Sequence, residues 1–298
     1  MSSTTSGQST VVRTVILTAA AMIAFAANSL LCRMALGQEL IDAASFTSIR
    51  ITSGAVTLGL IVLLRGNWKI PTANWASVAA LFCYMVCFSF AYLSLSAGTG
   101  ALLLFGAVQL TMFVTALRHG ERFSFLSWAG LCAAFSGLVY LVAPGVTAPD
   151  PLGAALMAVA GIAWGAYSLI GRSATQPLAA TLSNFLFSVP LTVALSAVFI
   201  ANAEVSAAGV LLASASGALA SGLGYAIWYA ALPGLTAGRA ATVQLSVPVI
   251  AAIGGIVLLS EQPGLRLIIA SGLTIGGIWI VLAQRSRRVA VKSGRAGE

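Results

Sequence analysis

The side chains able to do chemistry in this 298-residue sequence are aromatic rings, a few carboxamides and two arginines, all set in long apolar runs. Tyr84, Phe88 and Tyr92 recur every fourth residue, which puts them on one face of a helix. Tyr225, Trp228 and Tyr229 make a similar face later in the chain, and Trp164 and Tyr167 stand one turn apart between them. Rings on a shared face can wall a cavity for flat or apolar solutes by stacking, and can hold ammonium groups by cation–π contact. The competing reading is an aromatic belt at a membrane interface. These rings extend inward from the ends of their runs, which favours the cavity. Asn28, Gln109, Asn184 and Gln244 carry amides that lipid would penalise, so they are expected to face a bundle interior. Asn28, Gln109 and Gln244 are candidates for either substrate contact or helix–helix glue, and Asn184 is read as glue. Ser168 and Ser246 are weaker candidates, because a helical hydroxyl can bond its own backbone. Arg50 lies about two turns inside its run, and Arg33 sits nearer the same surface, where it can snorkel. Each is a candidate either for holding a substrate carboxylate or for bracing a gate by pairing with Glu39 or Asp42.

The missing groups are as informative. Every Asp and Glu falls in a loop or tail, and the single histidine, His119, sits beside Arg118 and Glu121. No Ser–His pairing, carboxylate pair or metal cluster lies within the apolar runs, which argues against an enzyme and against a resident metal or cofactor. The intramembrane acid or histidine relay of proton-driven carriers is absent too. A carrier built on these runs would have to work by uniport, by exchange or by a coupling that uses no membrane acid. Cys32, Cys83, Cys87 and Cys132 lie in apolar segments without further ligands and read as small buried hydrophobes.

The elements that position these groups must be membrane helices. Hydrophobic residues make up 59% of the chain and charged ones only 7%, against roughly 25% charged in a soluble domain, so a soluble enzyme is excluded. The apolar runs predict an all-α integral membrane protein with ten transmembrane helices, near 11–36, 44–64, 73–97, 100–117, 124–143, 152–171, 178–201, 206–231, 236–259 and 265–284. The weakest breaks are at Gly98 and around Pro233 to Thr236, where few polar residues mark the turn. The first run is read as a retained span rather than a signal peptide. The net charge of +8 reflects orientation, not nucleic-acid binding. With both ends on the cytoplasmic side, inner segments hold Arg13, Arg65, Lys69, Arg118, Arg122, Arg172, Arg239 and the late cluster Arg285, Arg287, Arg288, Lys292 and Arg295. Outer loops hold Arg266 with Glu39, Asp42, Asp150, Glu204 and Glu261.

The two halves echo each other. Ser29 to Arg33 (SLLCR) resembles Ser168 to Arg172 (SLIGR), a frame that aligns Phe25 with Trp164 and Asn28 with Tyr167. Glu121 matches Glu261, Gly137 matches Gly277, and Phe88 and Tyr92 match Tyr225 and Tyr229. Residues 11–143 and 144–284 are therefore read as two five-helix repeats, flanked by tails 1–10 and 285–298. Five is odd, so the second repeat is inverted, a recurring plan of secondary transporters with the site near mid-membrane. On these features, and on the Glu121 and Glu261 loops followed by Gly-rich helices, the chain resembles the EamA-type exporters of the drug/metabolite transporter superfamily, and among them the YddG-type amino-acid exporters. The resemblance implies an alternating-access carrier exporting amino-acid-like metabolites, aromatic or otherwise neutral, across the bacterial inner membrane. It also implies a cavity lined by the first, third, fourth, sixth, eighth and ninth spans, with the fifth and tenth as buttresses. A multidrug or lipophilic-cation exporter is the alternative, disfavoured by the missing membrane acids. Pro190 and Pro248 are expected to bend their spans, and Pro248 stands where the first half has Val108. Gly130 with Ala134 and Gly272 with Gly276 give small-residue faces for packing between repeats or copies, so both a monomer and a homodimer fit. The expected partners are a small-molecule substrate and the lipid bilayer.

Overall fold

The computed structural model describes residues 3–66, 72–121, 123–235 and 237–295. Its helices are α1 (Ser3–Gly37), α2 (Ala43–Leu64), α3 (Trp75–Ala91), α4 (Ala97–Arg118), α5 (Phe125–Val142), α6 (Pro151–Ile170), α7 (Pro177–Val198) and α8 (Ala207–Ala215). A π-helical stretch, Ser216–Leu223, joins α8 to α9 (Gly224–Ala231), and α10 (Ala237–Gln244), α11 (Ser246–Leu259) and α12 (Leu265–Arg295) follow. Among the described residues, nine segments are long and apolar enough to cross a membrane, and α3 is a tenth apolar helix of 17 residues. The protein is an all-helical membrane protein of ten spans. The eighth comprises α8, the π stretch and α9; the ninth comprises α10 and α11.

The first N–H groups of each helix have no intrahelical partner, and the loop residues ahead of the helices supply one. Asp42 Oδ1 accepts from the Ala44 and Ser45 N–H groups at the start of α2. Asn74, Ser96, Ser124, Asp150 and Ser206 each accept from the N–H three residues on, opening α3, α4, α5, α6 and α8. Pro151 and Pro177 open α6 and α7, where their missing N–H is an orphan anyway.

Three expected boundaries change. The third span stops at Ala91 rather than near 97, because Tyr92, Leu93 and Ser94 turn back onto the carbonyls of Ser89, Phe90 and Ala91. The break therefore lies before Ser96, and Gly98 is inside α4. The ninth span divides at Leu245, which puts Pro248 in the first turn of α11 instead of mid-helix. Pro190 does lie inside α7. Of the breaks expected at Arg65 to Pro71, Arg118 to Arg122 and Pro233 to Thr236, residues 67–71, 122 and 236 lie outside the described residues.

The packing pattern carries the symmetry. α6 lies against α3 and α4, and α1 lies against α9 and α11. Exchanging the halves converts one set into the other, while the pairs α2–α7 and α5–α12 map onto themselves. That is the arrangement of two inverted five-helix repeats about a pseudo-two-fold in the membrane plane. Backbones touch at the self-paired seam of α5 and α12, where a Cβ on Gly277 would strike the Gly130 carbonyl and one on Gly137 would strike Thr274. Gly272 and Gly276 are not part of this seam: both face open space, one helix face away from Gly277. Where α2 meets the eighth span, a Cβ on Gly217 of the π stretch would strike Ser53 and the Arg50 carbonyl of α2. That close approach holds the α2 backbone against the eighth span beside Arg50.

Candidate functional site

A cavity of about 370 Å³ lies between the repeats. Of the residues expected to line it, Asn28, Tyr84, Phe88, Trp164, Tyr167, Ser168, Tyr225, Trp228, Tyr229 and Gln244 do so. Trp164 on α6 is the hub of the aromatic wall. It stacks on Tyr225 with ring centres 5.5 Å apart and on Tyr167 at 5.4 Å, each at 26°, and approaches Tyr84 at 4.9 Å. Phe25, its repeat mate on α1, packs against Tyr225 and Trp228 at 5.9 and 6.1 Å. The rings are brought together because α6 packs on α3 and α1 packs on α9.

Two polar clusters interrupt this wall. In the first, Asn28 Nδ2 donates to the Tyr84 hydroxyl at 3.4 Å while its Oδ1 accepts from Ser216 at 2.6 Å. Arg50 Nη2 donates to the same hydroxyl at 3.2 Å, and Arg50 Nε to Ser221 at 3.5 Å. The guanidinium also lies 4.7 Å from the centre of the Phe88 ring, a cation–π contact. Arg50 has no exposed surface, and its Nη1 has no hydrogen-bond partner. In the second cluster Asn184 Nδ2 donates to the Tyr167 hydroxyl at 3.3 Å, and Thr181 and Tyr229 share a bond of 3.0 Å between hydroxyls.

Three expected contacts lie elsewhere. Tyr92 is fully buried behind Phe88, with its hydroxyl donating to the Ala97 carbonyl. Gln109 is buried within α4 away from the cavity lining, with its amide nitrogen unpartnered. Ser246 returns its hydroxyl to the Val243 carbonyl and is not among the residues that line the cavity. Asn184, expected as helix glue, lines the cavity together with Thr181, so the seventh span joins the spans expected there. A positional signal existed: Asn184 stands as far into α7 as Arg50 stands into α2. Ser221 was missed because a π-helical stretch breaks the 3.6-residue register.

The two ends of the bundle differ. The cavity reaches the α6–α7 turn, where Gly171 and Arg172 line it and are exposed. The opposite end is tied shut. Arg33 lies 3.5 Å from Glu261 and donates to the carbonyls of Tyr92 and Leu93 at 3.1 and 3.2 Å. Both Glu261 oxygens take the Ala97 N–H at 3.0 Å, at the start of α4, where the helix dipole favours a carboxylate. One ion pair thus joins the tips of α1, α3, α4 and α11. The expected pairing of either arginine with Glu39 or Asp42 is not made. Asp42 serves as the N-cap of α2, and its segment is bonded instead to Glu204 and Ser206 ahead of α8.

The sequence matches the EamA-like transporter family twice, over residues 12–143 and 151–283. It is 49% identical over 279 residues to an uncharacterized protein of Pseudomonas aeruginosa, covering 93% of this chain and 97% of that one. An uncharacterized transporter of Archaeoglobus fulgidus is 26% identical over 252 residues, covering 81% of this chain and 89% of its own. A crystal structure of a protein with 20% identity superposes with a TM-score of 0.62 over 88% of this chain and 98% of that chain, a likeness of fold. Two matched halves, five spans in each and a cavity between them belong together: the chain is a member of the EamA-like transporter family, within the drug/metabolite transporter superfamily.

Proposed function

We propose that the protein is a secondary transporter that exports small amino-acid-like metabolites, aromatic or otherwise neutral, across the bacterial inner membrane. The observation that carries this reading is the aromatic-walled cavity between the repeats, reached from one end of the bundle and tied shut at the other. A bundle built only for structure would fill that space with aliphatic side chains. The open end carries Arg13, Arg65, Arg118, Arg172 and Arg239, whereas five of the six described acids lie at the closed end with Arg33 and Arg266. By the positive-inside rule the open end is cytoplasmic, and the conformation is the inward-facing state of an alternating-access carrier. No acid lines the described cavity, which supports uniport or exchange over a carboxylate-relayed proton antiport. The same feature, with Arg50 beside the wall, opposes a lipophilic-cation exporter.

The test is efflux from bacteria loaded with labelled phenylalanine, with and without overproduction of the protein. Faster efflux that slows when unlabelled aromatic amino acids share the cytoplasm supports the reading. Efflux equal to that of the empty-vector strain contradicts it.

A further inference from the structure

We propose that the innermost part of the cavity is an anion subsite that receives a carboxylate, so that the transporter selects flat carboxylates over their neutral and cationic counterparts. The inference rests on the transporter reading and narrows its substrate class.

Arg50 supplies the first observation. It is a buried cation in a membrane bundle with one nitrogen unpartnered, and no Asp or Glu stands among the residues that line the cavity. The carboxylate of Glu261 is already taken by Arg33 and the start of α4. Burying an unpaired charge is costly, and cation–π contact with Phe88 offsets only part of that cost. A counter-ion that arrives with the substrate offsets it only while the site is filled.

Tyr84 supplies the second. Its hydroxyl accepts from both Arg50 and Asn28, and the structure gives it no acceptor, so its own O–H is left to donate. Tyr84 and Ser221 line the cavity, and Arg50 stands directly behind them. A carboxylate entering this corner meets the Tyr84 and Ser221 hydroxyls, each polarised by the guanidinium behind it. Arg50 is here a positioning residue that acts through Tyr84.

The third observation is an asymmetry between the repeats. Where α2 carries Arg50, α7 carries Asn184, whose surroundings are the neutral hydroxyls of Tyr167, Thr181 and Tyr229. The cavity is therefore charged at one corner only. A solute with its carboxylate at Tyr84 lays its ring against Trp164 and Tyr225 and its remaining polar group toward Asn184. Arg172 at the mouth adds positive potential along the way in.

The experiment is a fluorescence titration of the full chain in lipid nanodiscs, reporting through Trp164 and Trp228. The probes are 3-phenylpropionate, 3-phenylpropionamide and phenethylamine, which share a ring and differ in charge. The acid is expected to bind about tenfold more tightly than the amide, the loss of one charge-assisted hydrogen bond, and the amine more weakly still. Tyr84→Phe keeps the ring and removes the hydroxyl, and is expected to bring acid and amide within about threefold. Arg50→Gln should do the same where it inserts. An amide that binds as tightly as the acid, or no response to any probe, overturns the subsite. Phenylalanine efflux without preference for the acid defeats the subsite and leaves the transporter reading intact. Acid-selective binding without efflux does the reverse.

Discussion

Glu261→Gln isolates the tie that closes one end of the bundle. The carboxylate accepts the Ala97 N–H with both oxygens and pairs with Arg33 at 3.5 Å. Glutamine keeps a carbonyl for Ala97 and removes the charge that holds Arg33. A hydrogen bond to a charged group is worth about 1.5–3 kcal/mol. The side chains of Arg33 and Glu261 keep 25% and 18% of their surface, so solvent screening lowers this to about 1–2 kcal/mol. These bonds exist only while this end is closed. Their loss is expected to raise the open fraction about 5–30-fold, since about 1.4 kcal/mol is a factor of ten. Cys32 is a native reporter: it precedes Arg33 on α1 and has no exposed surface. In a chain with Cys83, Cys87 and Cys132 replaced by Ser, the assay is the rate at which a membrane-impermeant maleimide added outside labels Cys32 in right-side-out vesicles. Glu261→Gln should accelerate labelling by that factor. A rate within twofold of the parent, or slower, would refute the assignment of this ion pair as the outer closure.

Further substitutions probe the wall and the packing. Trp228→Ala removes a cavity ring worth about 0.5–1.5 kcal/mol in stacking, and is expected to raise KM for an aromatic substrate about 2–10-fold. Trp279→Ala, on an exposed face, should leave transport unchanged. Gly277→Val drives a side chain into the Gly130 carbonyl and is expected to cost about 1–3 kcal/mol, read as a lower midpoint in a thermal-aggregation assay, whereas Gly272→Val meets open space and should shift it little. Ser246→Ala should transport like the parent, because that hydroxyl serves its own helix, while Asn184→Ala should raise KM.

The spans and the aromatic hub were legible because length and composition mark a membrane helix, and because rings at helical spacing share a face whatever they pack against. Lipid is as apolar as a bundle core, so apolar residues do not announce which face turns inward. The amides carried that information, and only in part. Asn28 and Gln244 face the cavity, whereas Gln109 does not. Tyr92 lies on the expected face of α3 but beyond the cavity, sealed by the turn that ends the helix. Ser246 bonds back to the Val243 carbonyl across the break at Leu245, a use of its hydroxyl that its residue type alone does not separate from a cavity contact. The partner of Arg33 was hidden by distance in the chain. Glu39 and Asp42 lie nearby, but Asp42 is committed to capping α2, and Glu261 reaches Arg33 only once the repeats have folded together.

Exchange in proteoliposomes tests the central claim, that the space between the repeats carries a flat solute by alternating access. Liposomes bearing the purified protein are preloaded with unlabelled phenylalanine, and entry of labelled phenylalanine is followed with no ion gradient. Saturable entry, accelerated by the internal pool and slowed by Trp228→Ala, is the expected result. Entry no faster than in protein-free liposomes, or flux that rises without saturation, would contradict it.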